Sequence, residues 1–240
     1  MIKYKEKPNT RKDVEALLHT IVRQWFFSRF KEFSLPQLYG VMEVHSRNNI
    51  LVSAPTGSGK TLTAMLAILN ELIDSSEKGI LQEKIYAVYI SPLKALNRDV
   101  SLNLLEPLKE MEDCAGKKFG IRVAVRTGDT TAAEKQKMLH HVPHILITTP
   151  ESIALLLSSK KFSEHLKRVE WIIVDETHSV AENKRGVHLS LTLERLQRLS
   201  PGMCRVGLSA TISPLNIVAQ YLAGNGRDCT IVDVQFLKKM

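Results

Sequence analysis

Two segments of the chain carry side chains that could bind and cleave a nucleoside triphosphate. The first, Leu51–Thr61, is an apolar run that enters a Gly-rich turn and ends in Gly-Lys-Thr. In a P-loop of this kind, backbone N–H groups and the start of the next helix face the phosphates. The lysine reaches the β and γ oxygens, and the hydroxyl ligates Mg²⁺. The sequence therefore predicts a nucleotide site formed by Thr56, Gly57, Ser58, Gly59, Lys60 and Thr61.

The second segment, Ile172–His178, is an apolar strand followed by two adjacent carboxylates. Asp175 fits the carboxylate that holds hydrated Mg²⁺ beside a P-loop. Glu176 can orient the attacking water or accept a proton from it. The structural alternative is an acidic pair at a helix start, stabilised by the helix dipole. Because the P-loop lies in the same chain, the pattern favours catalysis, with Thr61 and Asp175 as the metal ligands.

The P-loop departs from the usual pattern at its first position. The spacing G-x-x-x-x-G-K-[ST] requires glycine where this chain has Ala54. The turn Gly57-Ser58-Gly59 and the Lys-Thr pair are intact, and Gly-rich turns that bind no phosphate seldom combine these residues after an apolar strand. The substitution does not change the prediction of a phosphate site.

Composition limits the class of protein and its partners. With 240 residues and 44% hydrophobic content, the chain is long enough for one sizeable core. We expect a polar segment at residues 1–12 with frayed ends and a single domain over residues 13–240. The net charge of +8 favours a polyanionic partner, nucleic acid before membrane, about as well as it favours a merely basic surface. The charged residues on the predicted helices are interpreted as solvated faces: Lys160, Lys161, Lys167, Arg168, Glu194, Arg195 and Arg198.

The location of the protein is predicted from features that the sequence lacks. The N-terminus does not resemble a signal peptide, and no apolar run has the length needed to cross a bilayer. The three cysteines are widely spaced, which argues against a disulfide framework or a zinc site. These features predict a cytoplasmic protein without a membrane partner.

Short β-branched runs alternate with helical patterns along most of the chain. An amphipathic helix is predicted from about Val14 to Phe30, and a second helix from near Pro36, where proline suits the first turn. Strands that alternate with helices indicate βαβ units, an α/β fold and a parallel sheet covered on both faces. The motifs should then lie at the carboxyl edge of the sheet. The predicted strands are Ile50–Ser53, Ile85–Ile90, Ile121–Val125, Ile145–Thr148, Trp171–Val174, Arg205–Ser209 and Thr230–Val232.

Several spaced motifs resemble those of superfamily 2 helicases. Ala54–Thr61, Asp175–His178 and Ser209–Thr211 resemble motifs I, II and III of that superfamily. The intervening segments are more similar to the large helicase-related group than to the DEAD-box proteins proper: Ser91–Asn97, Arg126–Thr130, His144–Leu157 and Lys184–Leu196. The resemblance covers roughly Trp25 to Thr211, and it implies the first RecA-like domain of an ATP-dependent helicase.

The resemblance also implies roles for individual residues. Gln37 matches the glutamine that reads adenine, and His178 would couple the nucleotide site to Ser209, Ala210 and Thr211. Other segments match motifs that face nucleic acid, and their hydroxyl and backbone N–H groups suit phosphate binding without base reading. These residues are Pro92, Leu93, Lys94, Asn97, Arg126, Thr127, Gly128, Asp129, Thr149, Pro150, Glu151 and Ser152.

Three alternatives remain open at this stage. The segment Thr149–Ser152 is equally suited to begin a helix, with a capping hydroxyl followed by proline. The partner strand can be DNA, which we favour, or RNA, because contacts to a phosphate backbone do not distinguish them. A nucleotide-gated module that binds nucleic acid without unwinding it is a further possibility.

The family resemblance implies a second RecA-like domain that this sequence does not show. Such a domain supplies arginines to the γ-phosphate, and arginine fingers contribute on the order of 10³–10⁵ in rate. After Ile212 the chain offers a helix from Pro214 to Ala223, one strand and a lysine-containing end, with no such motif. We therefore expect the chain alone to bind Mg-ATP and nucleic acid weakly and to hydrolyse ATP near background.

Overall fold

A computed structural model describes residues 1–92, 100–181, 184–210 and 213–234 of the chain. In these residues, parallel pairing joins all the strands into one eight-stranded sheet with the order β1-β8-β2-β7-β6-β3-β5-β4. The strands are β1 (Ile2–Tyr4), β2 (Ile50–Ser53), β3 (Ala87–Ile90), β4 (Val123–Arg126), β5 (Ile145–Thr148), β6 (Trp171–Val174), β7 (Cys204–Ser209) and β8 (Cys229–Asp233). The predicted parallel α/β architecture is confirmed.

Helices cover both faces of this sheet. The described helices are α1 (Arg11–Leu17), α2 (Thr20–Arg29), α3 (Leu35–His45), α4 (Lys60–Glu77), α5 (Glu106–Ala115), α6 (Ala132–His140), α7 (Pro150–Ser158), α8 (Lys160–Ser163), α9 (Thr177–Ala181), α10 (Lys184–Leu199) and α11 (Leu215–Ala223). A π-helical turn, Ser101–Leu105, precedes α5, and a 3₁₀ turn, Glu164–Leu166, follows α8. Helices α1 to α5 pack on one face of the sheet. Most of the later helices pack on the other face.

The central strands are apolar throughout because they are buried on both faces. In β2, Ile50 and Val52 belong to one core cluster, whereas Leu51 belongs to the cluster on the opposite face. Side chains alternate across a strand, so a sheet covered twice needs apolar residues at every position. This is why three predicted strands (Ile50–Ser53, Ile145–Thr148 and Trp171–Val174) agree with the structure at both ends.

The predicted helix from Val14 to Phe30 is wrong, because the structure divides it into α1 and α2. The backbone at Leu18 is extended, with ψ at 130°. Asn70 of α4 lies at the break: its Oδ1 accepts a hydrogen bond from His19 N at 2.6 Å, and its Nδ2 donates to Leu17 O at 3.2 Å. One side chain thus satisfies backbone groups at the end of one helix and the start of the next. The helical spacing of apolar residues continues because both helices pack on the same core.

The polar N-terminal segment is more ordered than expected. Residues Ile2–Tyr4 form β1 at the edge of the sheet, where Ile2 pairs with Cys229 of β8. A capping box between Thr10 and Asp13 then begins α1. A three-residue strand with exposed side chains has too little apolar pattern to be recognised, and its partner lies at the far end of the chain. The expectation of a frayed segment over residues 1–12 is therefore wrong.

One of the helix charges that were interpreted as solvated is a structural partner. The Glu194 carboxylate accepts from Arg227 Nη1 at 2.7 Å and lies 3.0 Å from Nη1 of Arg205. Arg205 is 1% exposed, and its guanidinium also donates to the carbonyl oxygens of Leu193 and Leu222. Burial lowers the pKa of Arg205, and Glu194 opposes that effect.

No described helix is long and apolar enough to cross a membrane.

Candidate functional site

The Gly-rich turn joins the end of β2 to the start of α4 with two glycines in left-handed backbone conformations. Gly57 has φ at +76° and Gly59 has φ at +89°. A Cβ atom on Gly59 would lie 3.0 Å from Ser34 Oγ and 3.3 Å from Gln37 Nε2. Gly59 is therefore required both by its backbone conformation and by the close approach of α3.

Lys60 is the first residue of α4 and is 6% exposed. Its Nζ donates to the carbonyl oxygens of Ala54 at 2.6 Å and Pro55 at 3.0 Å. These bonds hold the ammonium group above the turn, at the positive end of the helix dipole. A cation and a helix N-terminus together form a site suited to an anion.

The acidic pair follows β6, and the backbone bends sharply between its two members. Asp175 is 3% exposed; its Oδ1 accepts from Glu176 N at 2.9 Å, and its Oδ2 accepts from the hydroxyl of Tyr89 on β3. Glu176 has φ at +50°, a left-handed conformation that side chains other than glycine rarely adopt. Such a conformation costs roughly 1–3 kcal/mol and is found mostly at functional sites.

The Gly-rich turn and the acidic pair line one cavity of about 450 Å³ at the carboxyl edge of the sheet. Strand β6 is the next but one to β2 in the sheet, so both motifs reach the same edge. The structure thus brings together the residues that the sequence placed in one site. The lining residues are Phe30, Glu32, Ser34, Gln37, Thr56, Gly57, Ser58, Gly59, Lys60, Thr61, Leu62, Leu102, Asn103, Asp175 and Glu176.

Carboxylate and hydroxyl oxygens in this cavity suit a hard divalent cation. Asp175 and Thr61, the predicted metal ligands, both line it. Mg²⁺ binds through one or two carboxylates together with substrate phosphates and water, rather than through a cage of protein ligands. The residues present therefore fit a magnesium ion that arrives with the triphosphate.

His178 connects the acidic pair to the end of β7. Its Nε2 lies 2.9 Å from Glu176 Oε2, and its Nδ1 lies 3.2 Å from the backbone nitrogen of Ala210 and 3.3 Å from Ser209 Oγ. The N–H of Ala210 can only donate, so Nδ1 accepts and the neutral ring carries its proton on Nε2. A continuous path of hydrogen bonds therefore runs from the Glu176 carboxylate to Ser209 and Ala210. Thr211 lies outside the described residues.

Gln37 lies against the Gly-rich turn, where it also has a structural role. Its Oε1 accepts from Ser34 N at 2.8 Å, which caps the start of α3, and the side chain is 3% exposed. The predicted adenine contact stays a prediction, because the same amide stabilises the helix. Residues that sequence reasoning missed lie beside it: Phe30, Glu32, Leu102 and Asn103 line the cavity. Of these residues, the sequence analysis had placed only Phe30, at the end of the predicted amphipathic helix.

The residues that resemble nucleic-acid-facing motifs follow the ends of β3, β5 and β4, at the same edge as the cavity. The register pairs Ile90 with Thr148 and Thr148 with Arg126, so these strands end level with one another. Pro92, Thr127, Gly128 and Asp129 lie in the loops that follow β3 and β4. Leu93, Lys94 and Asn97 lie outside the described residues.

The segment Thr149–Ser152 caps α7. Thr149 Oγ1 accepts from Ser152 N at 3.3 Å and donates to Ser152 Oγ at 3.0 Å, and both residues are buried. Pro150 is the first helical residue. Glu151 is exposed and pairs with Arg185 Nε at 2.7 Å. The structural alternative for this segment is confirmed, whereas its contact with phosphate remains a prediction.

A P-loop at the end of one central strand, with an acidic pair at the end of the next strand but one, defines a RecA-like P-loop nucleotide-binding domain. The sequence matches the DEAD/DEAH box helicase family over residues 35–218. This match covers most of the chain, which therefore belongs to the DEAD/DEAH box helicase family. The resemblance stated from the motifs is confirmed.

Lhr-type helicases are among the proteins whose sequences are similar to this chain. The ATP-dependent helicase Lhr-Core of Methanocaldococcus jannaschii is 52% identical over 244 residues, which cover 100% of this chain and 29% of that protein. A solved structure of Mycobacterium smegmatis helicase Lhr bound to ssDNA and AMP-PNP is 40% identical with a TM-score of 0.81, and covers 92% of this chain and 28% of its own. The chain thus spans less than a third of the length of these relatives.

A more distant structure supports the fold alone. The DEAD-box helicase Mss116 bound to ssRNA and UDP-BeF is 22% identical, with a TM-score of 0.77 over 97% of this chain and 47% of its own. The higher identity to the Lhr-type proteins agrees with the closer resemblance of the intervening motifs to the large helicase-related group.

Proposed function

We propose that this chain is the N-terminal ATP-binding motor domain of a cytoplasmic ATP-dependent DNA helicase. The observation that carries this proposal is the single cavity lined by both Lys60 of the Gly-rich turn and the acidic pair Asp175 and Glu176. A basic phosphate cradle opposite two carboxylates is the arrangement that phosphoryl transfer from Mg-ATP requires. The full enzyme would couple ATP hydrolysis to movement along a strand and to its unwinding.

Each residue of the cavity has a proposed role. Backbone N–H groups from Thr56 to Gly59 hold the phosphates, Lys60 leaves the loop carbonyls to neutralise the β and γ oxygens, and Gln37 contacts adenine. Thr61 and Asp175 hold Mg²⁺, which when bound neutralises charge on the phosphates. Glu176 orients the attacking water and accepts its proton.

The His178 hydrogen bonds support a route from hydrolysis to the bound strand. A change in the contact of Glu176 with water alters its bond to His178 Nε2, and His178 Nδ1 holds the backbone at Ala210. Ser209 ends β7 and Ala210 follows it, beside the start of the Gly-rich turn, where Ala54 N donates to Ser209 O at 3.2 Å. His178 therefore serves as a coupling residue between the cavity and this loop.

The proposed nucleic-acid partner is contacted through its backbone and is DNA rather than RNA. A relative with 40% identity was solved bound to ssDNA. The loops that follow β3, β4 and β5 offer hydroxyl and N–H groups, which suit phosphates and carry no base specificity. Competition between DNA and RNA strands of the same sequence tests the choice, and tighter binding of RNA would overturn it.

We further propose that a second RecA-like domain completes the ATPase. The chain covers 29% of the relative from Methanocaldococcus jannaschii, which leaves ample length for such a domain. A donor of arginine to the γ-phosphate is needed for fast turnover. This chain alone should therefore bind Mg-nucleotide but hydrolyse ATP near background, and robust strand-stimulated turnover would contradict the proposal.

The decisive experiment measures binding of a fluorescent non-hydrolysable ATP analogue to the chain with and without Mg²⁺. Glu176→Gln should retain binding, because this residue acts on water rather than on the phosphates. Asp175→Asn should lose the magnesium-dependent part of the affinity. Binding that is independent of Mg²⁺ in the unmodified chain and unchanged in Asp175→Asn would refute the proposed site.

A further inference from the structure

Arg126 is a half-buried cation that has no carboxylate partner among the described residues. It ends β4, the outermost strand of the sheet, and its Cζ lies 5.8 Å from the centre of the buried Phe162 ring. Burial lowers the pKa of Arg126, and no acidic group in the described structure opposes that effect. By contrast, Arg205, which is buried on β7, lies beside Glu194. An arginine in such surroundings favours an anion from outside the chain.

The space around Arg126 is a small cavity of about 190 Å³ between α6 and α8. Its polar lining contains donors and no acidic side chain: Arg126, Lys135, Gln136 and Ser159. Lys135 has no ion pair with any described residue, and the nearby Glu134 is occupied by capping Thr131, whose N and Oγ lie 2.9 and 2.7 Å from its carboxylate. A guanidinium, an ammonium, an amide and a hydroxyl on one cavity suit the oxygens of a phosphate group.

The cavity is adjacent to the edge where the predicted strand contacts lie. The backbone carbonyl of Arg126 accepts from Thr148 Oγ1 at 2.7 Å, and Thr148 directly precedes the segment Thr149–Ser152. Two exposed lysines, Lys160 and Lys161, follow Ser159 on α8. Basic residues thus continue from the ends of β4 and β5 around the outer end of the sheet.

We propose that this cavity, lined by Arg126, Lys135, Gln136 and Ser159, binds a backbone phosphate of the nucleic-acid strand beyond the motif residues. The proposal rests on the proposed strand-binding function, because it extends the same contact surface. Lys135, Gln136 and Ser159 belong to no motif, so the site adds a contact that the resemblance does not assign. Arg126 would bind this phosphate from the side of the sheet that faces α6 and α8.

The test compares two lysines on one helix. Lys135 lines this cavity, whereas Lys137, two residues later on α6, lines a different cavity with Arg122 and Met138. The variants Lys135→Ala, Arg126→Gln and the control Lys137→Ala are titrated with a single-stranded thymidylate oligonucleotide of about 20 nucleotides, between about 50 and 200 mM salt. Thermal melts and the binding of an ATP analogue show whether each variant is folded.

Loss of one phosphate contact lowers the slope of log K against log salt by about 0.7 for a single strand, which weakens binding about fivefold near 0.1 M salt. We expect this change for Lys135→Ala and Arg126→Gln, and an unchanged slope for Lys137→Ala. Equal slopes in all folded variants would overturn the proposal while leaving strand binding intact. If the unmodified chain binds ATP analogue but no oligonucleotide, the proposed strand-binding function fails as well.

Inorganic phosphate distinguishes a strand phosphate from a free one. Backbone amide shifts at Ala132 and Phe162 report binding in this cavity separately from binding at the Gly-rich turn. Shifts produced by the oligonucleotide at these residues support the proposal. Shifts produced by inorganic phosphate alone, with no change in oligonucleotide slope on substitution, would assign the cavity to a free phosphate and overturn the strand contact.

Discussion

The amino-terminal and carboxyl edges of the sheet both carry clusters of charged side chains, yet the two clusters are built differently. At the amino-terminal edge, the Arg47 guanidinium lies 3.7 Å from the centre of the Trp171 ring and bonds to Glu71 and Glu170. Lys84 Nζ donates to Glu170 at 2.6 Å. These charges satisfy one another. At the carboxyl edge, the charged groups line a cavity that is large enough for a ligand.

Each edge also holds one residue with a strained backbone. Within the described residues, the only side-chain-bearing positions with positive φ are Arg47 at +60° and Glu176 at +50°. The first places a guanidinium between two carboxylates, and the second aims a carboxylate into the cavity. The same backbone conformation thus serves stability at one edge and, in the proposed site, chemistry at the other. A cluster of charged residues does not identify a candidate functional site by itself. An adjacent cavity that can hold a ligand distinguishes the carboxyl edge from the amino-terminal edge.

The largest expected effect is on nucleotide binding by Lys60→Met. This change removes the ammonium group from the cavity and retains an aliphatic side chain at the start of α4. Affinity for the Mg-ATP analogue should fall by at least about 100-fold, or about 2.7 kcal/mol. Fluorescence titration measures it, and Lys78→Met at the far end of the same helix is the control. Equal affinities of the two variants would show that the carboxyl edge is not a phosphate site.

The next effect is the loss of stability in Arg47→Gly. Glycine accepts the left-handed backbone, so the variant reports mainly the loss of the guanidinium. Glu71 and Glu170 remain partly buried without this cation. The free energy of unfolding should fall by about 2 kcal/mol, measured by urea denaturation. Lys78→Ala, which breaks an exposed pair with Asp74, should change it by less than about 0.5 kcal/mol. Nucleotide binding by folded Arg47→Gly should be unchanged.

A pH dependence of stability should come from His144 at the amino-terminal edge. Burial, together with the charge of Arg122, lowers the pKa of His144 to about 4 from its ordinary value of 6.5. The unfolded chain therefore takes up a proton first as the pH falls. The contribution of neutral His144 to the free energy of unfolding is complete above about pH 6.5. It is lost on acidification toward pH 4, which lowers the free energy of unfolding by about 2 kcal/mol.

The variant His144→Asn tests this dependence. An amide oxygen can replace Nδ1, which accepts from Arg122 N at 2.9 Å, and it does not titrate. Urea midpoints measured across the range should therefore fall less steeply with acidification in the variant than in the unmodified chain. Parallel curves would show that His144 is not the group responsible.

The smallest expected effect on stability is that of Glu176→Gly, and the sign of this effect distinguishes the two edges of the sheet. Glycine relieves the left-handed strain but makes the unfolded chain more flexible, so the net gain in stability should be roughly 0.5 kcal/mol. ATP turnover should be lost in a form of the enzyme that includes the proposed second RecA-like domain. Urea denaturation of Glu176→Gly is measured together with that of Arg47→Gly. If the two variants are destabilised equally, both edges of the sheet are structural.

Much of the nucleotide site was predictable because its chemistry is local in sequence. The turn from Gly57 to Gly59 and the Lys-Thr pair after it are contiguous, and the apolar runs before the turn and before Asp175 identify two buried strands. Parallel strands end at one edge, so the approach of these motifs follows from the fold class. The placement of Gln37 beside the turn agreed as well, although its capping bond to Ser34 shows that one side chain serves two purposes.

Other features depended on contacts between distant residues. The break between α1 and α2 is stabilised by Asn70, and strand β1 exists because β8 offers it an edge. Glu194 looked like a solvated helix residue because its partner Arg205 lies on a buried strand. None of these pairings leaves a periodic pattern, so sequence reasoning had no signal for them.

The sequence by itself determined the α/β class, most strand positions and the residues proposed to bind phosphate and metal, because periodicity and short motifs encode local backbone geometry. The tertiary structure alone decided which charges face open space. Arg47 is satisfied by Glu71 and Glu170, whereas Arg126 opens into a cavity without a described carboxylate partner. Whether a charge is paired depends on side chains brought together from different strands and helices, and only the folded packing fixes those neighbours.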